Sequence, residues 1–383
     1  MERIYFDHAA TTPVHPSVIE KMTPLLAEVY GNPSSIHHFG RESRKYLDEA
    51  RQVLADTIGA AANEIIVTSG GTEADNLAIF GTVYANQKKN GHIITTAIEH
   101  HAVLHACEQL EAEGFDVTYL PVDRNGVVAV KDVREALRDD TLLVTIMYGN
   151  NEIGAVQPIS EIGAMLKETA PHVVFHTDAV QAYGVLPLNV NECHVDLLSV
   201  SAHKINGPKG TGFLYARNGV KLTPRSYGGE QERKRRAGTE NVPGIVGFAH
   251  AAELAIRELE ERQEQYRAYQ QAMISTLKAE DVSFQVNGSI ENGMPHILNI
   301  YFPGTNVEAL LVNFDLAGIA ASSGSACTAG SIEPSHVLTA MFGSEAPETI
   351  ASVRFSFGYG NSVEQVEQAA VEIAKAVKRL ASL

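Results

Sequence analysis

The chain has 383 residues, 44% of them hydrophobic and 20% charged, the balance of a folded globular protein long enough to build more than one core. A formal net charge of −16 argues against a general nucleic-acid-binding surface, and no run of about 18 apolar residues is present to span a membrane. The opening Met-Glu-Arg-Ile-Tyr-Phe-Asp-His lacks the layout of a signal peptide, so a cytoplasmic protein is expected.

Taken in chain order, apolar runs alternate with helical stretches from about residue 45 to residue 215. Strands are expected at Glu64–Thr68, His92–Thr95, Asp116–Leu120, Leu142–Met147, Val173–His176, Leu197–Ser201 and Gly212–Ala216. Amphipathic stretches such as Asp48–Ile58, Val103–Glu113 and Ile159–Thr169 fall between most of them. This rhythm predicts an α/β domain, a mostly parallel seven-stranded sheet between layers of helices. One long helix, rich in Glu, Arg and Gln, is expected from Pro243 to about Lys278 as a connector. Beyond it, strands at His296–Phe302 and Val353–Phe357 and a helix at Val307–Ala317 predict a smaller α+β domain. A last helix opens at Ser362, with Gln365 completing a capping-box pattern.

Several residues stand where such a fold does chemistry. The apolar strand-like run Ser-Val-Ser-Ala-His-Lys is expected to stop on Lys204, which faces Ile-Asn-Gly-Pro-Lys-Gly. It is either an ordinary exposed lysine before a turn or an amine whose desolvation leaves it neutral and able to form a Schiff base. Thr68-Ser69-Gly70-Gly71-Thr72 runs from strand through glycine turn into helix, which makes an anion site of free N–H groups, or a plain βα turn. Asp178 ends the buried run Phe-His-Thr-Asp and needs a cationic partner there, unless it caps the next helix. His100, in Ile-Glu-His-His at a strand end, is placed to stack on a planar cofactor and carry a proton.

The three cysteines, Cys107, Cys193 and Cys327, are too widely spaced for a disulfide framework or a metal site. Cys107 and Cys193 read as small buried hydrophobes, but Cys327 sits in Ser-Gly-Ser-Ala-Cys-Thr-Ala-Gly, among small residues that favour exposure and thiolate chemistry. Arg354 lies inside the apolar strand Val-Arg-Phe-Ser, either holding a substrate carboxylate or closing an internal salt bridge. The basic run Arg233-Lys234-Arg235-Arg236 is a solvated loop, an anion site or a docking patch.

Together the motifs Tyr-Phe-Asp-His-Ala-Ala-Thr-Thr-Pro, Gly-Asn-Pro-Ser-Ser-Ile-His, Ser-Gly-Gly-Thr-Glu-Ala-Asp-Asn, Asn-Asn-Glu-Ile-Gly, His-Thr-Asp-Ala-Val-Gln, Ser-Ala-His-Lys-Ile-Asn-Gly-Pro-Lys-Gly and Ser-Gly-Ser-Ala-Cys-Thr-Ala-Gly resemble those of the cysteine desulfurases, in this order along nearly the whole chain. These are pyridoxal phosphate enzymes of the class V aminotransferase group, with the fold type I architecture. The resemblance implies a large cofactor-binding domain over residues 14–256 and a small domain of residues 1–13 and 257–383 that carries the cysteine loop. It implies that Lys204 holds the cofactor as a Schiff base and later takes the substrate's Cα proton, that Asp178 keeps the pyridine nitrogen protonated, and that Gln181 bonds the ring hydroxyl. His100 would stack on the ring, Gly71, Thr72, Ser201 and His203 would hold the phosphate, and Asn151 and Arg354 the substrate carboxylate. Thr239 would reach the cofactor of a neighbouring subunit, which makes the protein a homodimer with composite sites.

The activity so implied converts L-cysteine to L-alanine and leaves a persulfide on Cys327. The N-terminal two thirds are most similar to Gram-positive housekeeping desulfurases linked to tRNA thiolation. A tRNA 2-thiouridylase is therefore the favoured acceptor of sulfur and an iron–sulfur scaffold the second, since the chain ends at Leu383 without the tail by which some relatives grip a scaffold. A related selenocysteine lyase would share the lysine, aspartate and phosphate loop.

Overall fold

The computed structural model describes residues 3–86, 90–324 and 334–382. Strand β1 (Ile4–Tyr5) lies near the N-terminus, followed by β2 (Ile65–Thr68), β3 (His92–Thr96), β4 (Asp116–Leu120), β5 (Thr141–Thr145), β6 (Val174–Asp178), β7 (Leu197–Ser201) and β8 (Gly212–Ala216). β2 to β8 form one seven-stranded sheet in the order β2-β8-β7-β6-β5-β3-β4. Only β8 runs against the others, pairing antiparallel with both β2 and β7. All five residues of β3, β5, β7 and β8 are buried, as expected for strands covered by helices on both faces. The expected α/β sheet is thus present, with strand ends differing from expectation by one or two residues at some boundaries.

Three local differences have physical causes. β6 extends through Asp178, because its ladder with β7 pairs Asp178 with Ser199. β7 stops at Ser201, so Lys204 does not end the strand but closes a 3-10 turn, Ala202–Lys204, whose Ala202 carbonyl accepts from both Ile205 and Gly207. The expected single long helix is two, Val242–Arg257 and Leu259–Ala279, broken at Glu258 where ψ of 13° interrupts the helical ladder.

After the second of these helices, β9 (Gln285–Asn287), β10 (Ile297–Tyr301) and β12 (Ser352–Ser356) make an antiparallel sheet with β10 in the centre, while β11 (Ile319–Ala320) pairs with β1. The expected capping residue is in place: Ser362 Oγ accepts from the Gln365 N–H at 3.2 Å and opens the helix Val363–Ala381. The largest hydrophobic core joins Leu54, Ile65, Val200, Phe213 and Phe248, and a second gathers Phe6, Met273, Phe314, Phe355 and Ile373. Phe6 belongs to the second, so the first residues of the chain pack with the last hundred.

Candidate active site

A cavity of about 290 Å³ opens where the C-terminal ends of β2, β3, β5, β6 and β7 meet Ala9, Ala10, Gly324, His336 and Arg354. That is where an open parallel sheet binds ligands. Lys204, Asp178, Gln181, His100, Gly71, Thr72, Ser201, His203, Asn151 and Arg354 all line it. Ten of the residues singled out in the sequence therefore converge on one space. Thr239 does not: it lines a separate pocket of about 110 Å³ with Thr68, Ser69 and Arg236. Cys327 lies outside the described residues, between Gly324, itself on the cavity wall, and Ser335.

Lys204 is half-buried against the N-terminal segment, its Nζ donating to the carbonyls of Ala9 at 2.5 Å and Ala10 at 2.9 Å. Burial, with the Arg354 charge nearby, lowers its pKa to about 8, partly opposed by Asp178 and Asp7. An amine so poised is a nucleophile near neutral pH.

Asp178 accepts from the Val180 N–H at 2.9 Å, so it does stabilise the turn that follows, though no helix starts there. Its other demand is electrostatic. Asp75, Asp178 and the His100 ring each bring a ligand atom to within 4.8 Å of the others, and both carboxyl groups are fully buried. Burial pushes both pKa values up; repulsion from Asp178 adds to the rise at Asp75, while the Val180 N–H and Lys204 hold Asp178 back. Asp75 Oδ1 has no hydrogen-bond partner, and neighbouring His176 stays neutral, its pKa lowered to about 3. Two buried carboxyl groups without a full cation call for a positive group in the cavity. A protonated ring nitrogen is such a group, and so the residues fit a pyridoxal ring.

His100 faces this pair from the end of the β3 segment. It is the N-cap of the helix His101–Ala112, its Nδ1 accepting from the Ala102 N–H at 3.2 Å. The ring is open to the cavity on one side, and desolvation by the surrounding wall together with the nearby Lys204 lowers its pKa to about 4, so at neutral pH the ring is uncharged with its proton on Nε2.

The phosphate end is built by backbone. Gly70 takes φ of 152° and caps the helix Gly71–Ala85, whose first N–H groups are free for an anion. A Cβ at Gly71 would stand 2.7 Å from Val180 Cγ2. Gly71→Ala is accordingly expected to weaken cofactor retention roughly tenfold, about 1.4 kcal/mol, and Val180→Ala in the same chain to restore most of it. Equilibrium dialysis of pyridoxal phosphate against both variants checks this; equal retention by Gly71→Ala and the parent would refute the close approach. His203 Nδ1 meets Thr11 Oγ1 at 3.1 Å, tying the same rim to the N-terminal segment.

Arg354 combines both readings weighed for it. Its Nη2 pairs with Asp7 at 2.7 Å, an internal salt bridge, and Nη1 donates to the carbonyls of Asn151 and Gly324. Nε has no partner, although the side chain is only 2% exposed and lines the cavity. A guanidinium held this firmly, with a donor to spare, suits a carboxylate. In the basic run, Arg236 pairs with Glu73 at 2.7 Å, bracing the first turn of the phosphate-side helix.

Some cavity residues escaped the sequence reading. Glu152 and Asp75 sit within motifs quoted above, but the partners that mark them, Ser335 and Asp178, stand far along the chain; His101 and His336 carry no signal beyond their type. The Ala9 and Ala10 carbonyls offered none at all.

The match to the aminotransferase class-V model spans residues 4–369. The chain belongs to this family. It is 63% identical over 380 residues to a putative cysteine desulfurase IscS 1 of Bacillus subtilis, covering 99% of this chain and 100% of the relative. It is 48% identical to a cysteine desulfurase IscS of Methanosarcina thermophila over 99% of this chain and 93% of that one. Among solved structures, a NifS-like protein superposes with a TM-score of 0.92 at 36% identity, covering 99% of this chain and 100% of that chain. Another, SspA in complex with cysteine, gives 0.82 at 38% identity over 92% of this chain and 98% of that one. The chain is a pyridoxal-phosphate-dependent enzyme of fold type I and a cysteine desulfurase, acting on L-cysteine.

Proposed function

We propose that Cys327 takes the sulfur of L-cysteine as a persulfide, that L-alanine leaves, and that the persulfide is then passed to a protein acceptor. The observation that carries this reading is the convergence of Lys204, Asp178, His100 and Arg354 on one cavity whose wall includes Gly324, three residues before Cys327. Pyridoxal phosphate, when bound, supplies the electron sink that no side chain offers. Gly71, Thr72, Ser201 and His203 would hold its phosphate, Asp178 its ring nitrogen and Gln181 its hydroxyl. Arg354 and Asn151 orient the substrate carboxylate, Lys204 Nζ accepts the Cα proton, and neutral His100 presents its Nε2–H over the cavity.

The remaining assignments are proposals of the same kind. A homodimer is supported by the apolar side chains Leu26, Tyr30, Ile36 and Phe39, exposed together near the start of the chain, with Tyr30 stacked on Phe39. Thr239 would then serve the partner's site, consistent with its place outside the cavity of its own chain. Two cores support the division into residues 14–256 and residues 1–13 with 257–383. A tRNA 2-thiouridylase is the acceptor we favour, on the resemblance of the N-terminal two thirds. The buried, unpaired Cys107 and Cys193 suit a reducing, cytoplasmic compartment. No helix among the described residues is long and apolar enough to cross a membrane.

The test is direct. The purified protein, loaded with pyridoxal phosphate and given L-cysteine and a reductant, is expected to release alanine and sulfide in equal amounts. A colourless protein that stays colourless with added cofactor and forms neither product would overturn the reading.

A further inference from the structure

Glu152 has no role in the reaction described so far, yet it is among the most buried carboxyl groups in the molecule, 1% exposed, on the cavity wall. Its own backbone is fixed from two sides. The N–H donates to Asn150 Oδ1 at 2.8 Å, and the carbonyl accepts from Asn299 Nδ2 on β10 at 3.1 Å. The carboxylate is thereby held between the two cores, and burial raises its pKa while the Arg354 charge opposes the shift.

What the carboxylate touches is the notable part. Ser335 Oγ donates to Oε2 at 2.5 Å, and the Gly324 backbone packs so closely that a Cβ there would stand 2.6 Å from the same oxygen. Gly324 and Ser335 flank the segment that carries Cys327. Each flank has a second hold: the Gly324 carbonyl accepts from Arg354 Nη1 at 3.2 Å, and His336 Nε2 donates to the Glu99 carbonyl at 2.9 Å. Glu152 is in contact with both. Cys327 follows Gly324 by three residues, and three residues of extended chain span at most about 11 Å. Where Gly324 is held therefore limits where the thiol can be.

We propose that Glu152 is a positioning residue that fixes both flanks of the Cys327 segment to the cavity wall, so that the thiol stays within reach of bound L-cysteine. This rests on Cys327 being the nucleophile. Glu152 does not touch the reacting atoms; it acts through Gly324 and Ser335.

The test uses the full-length, cofactor-loaded protein and the variants Glu152→Ala, Glu152→Gln, Ser335→Ala and Glu152→Ala with Ser335→Ala. L-cysteine binding is read from the visible absorption of the cofactor, and persulfide on Cys327 from mass spectrometry after a single turnover. Glu152→Ala is expected to slow persulfide formation at least about tenfold while half-saturation by L-cysteine stays within about twofold. Glu152→Gln, which still accepts from Ser335, should lose no more than about threefold. The double variant should be no more than about twofold slower than Glu152→Ala, because the Glu152–Ser335 contact is already lost there and only the helix cap at the Leu338 N–H is lost in addition. In the cofactor-free protein, iodoacetamide should alkylate Cys327 at a rate changed about threefold or more by Glu152→Ala and left within that margin by Glu152→Gln. A parent-like persulfide rate in Glu152→Ala would overturn the proposal, and so would a parallel loss of L-cysteine binding, which would mark Glu152 as general support for the cavity. Should Glu152→Ala not fold, Ser335→Ala decides alone: it removes the hydroxyl that donates to Glu152 and that also caps the following helix at the Leu338 N–H, and it is expected to slow persulfide formation about threefold or more, with a parent-like rate refuting the anchor. Sulfide release by Cys327→Ala at the parent's rate would overturn the nucleophile assignment instead, a result distinguishable from any of these.

Discussion

Lys204→Ala is expected to abolish covalent capture of pyridoxal phosphate and to lower L-cysteine turnover by at least about 10⁴-fold, since it removes both the anchoring amine and the base for the Cα proton. Borohydride treatment of the parent should fix the yellow chromophore to the peptide containing Lys204 and to no other; label elsewhere would sink the assignment. The rate of capture by the cofactor-free protein should also depend on pH with a definite sign. Only the neutral amine adds to the aldehyde. With its pKa lowered to about 8, roughly one amine in ten is neutral at pH 7, against about one in a few thousand for an unperturbed lysine. Capture should therefore quicken about fivefold from pH 7 to pH 8 and level off above about pH 9. Arg354 lowers this pKa and Asp178 raises it, so Arg354→Gln should move the midpoint up and Asp178→Asn should move it down. A midpoint that neither substitution moves would show that the charges on the cavity wall do not act on Lys204.

Cys327→Ala carries the second large effect. Cofactor binding, and the change in its absorption on adding L-cysteine, should persist, because Lys204, Asp178 and Arg354 are untouched. Alanine and sulfide formation should fall by at least about 10³-fold, the loss expected when a covalent nucleophile is deleted. Cys107→Ala and Cys193→Ala are the controls. Cys107 is buried in the helix His101–Ala112, where burial pushes its thiol pKa up, and Cys193 is buried with Ser160 Oγ at 3.6 Å from its sulfur. Neither buried thiol is available to take sulfur, so each variant should retain parental turnover. A persulfide found on either after a single turnover, or unchanged sulfide release by Cys327→Ala, would refute the assignment.

The sheet was legible because its strands are short runs of Ile, Val, Leu and Thr with helical periodicity between them, and both patterns are local. The helix break at Glu258 was not: residues 243–278 have helix-forming composition throughout, and nothing in that composition marks the change of direction. Site residues were legible where the residue type is costly in its setting. A lysine after a buried strand, a carboxylate ending one, and an arginine within one each demand a partner. Glu152 was missed although it has the same costly character, because its partner Ser335 stands far along the chain. His101 and His336, whose rings lie 4.9 Å apart, were beyond reach for the same reason.

By itself the sequence determined the α/β class, the glycine turn before Thr72, the aspartate that ends β6 and the lysine that follows β7, and the membership that its ordered motifs announce. These depend on neighbours a few residues apart, through hydrogen-bonding periodicity and the cost of burying charge. The tertiary structure alone decided what each group faces. It set the Ala9 and Ala10 carbonyls against Lys204, Asp7 against Arg354 and Asp75 beside Asp178, and it brought Glu152 to both flanks of the Cys327 segment. Such pairings join residues as many as 347 positions apart, and only the packing of the two cores brings them within hydrogen-bond distance.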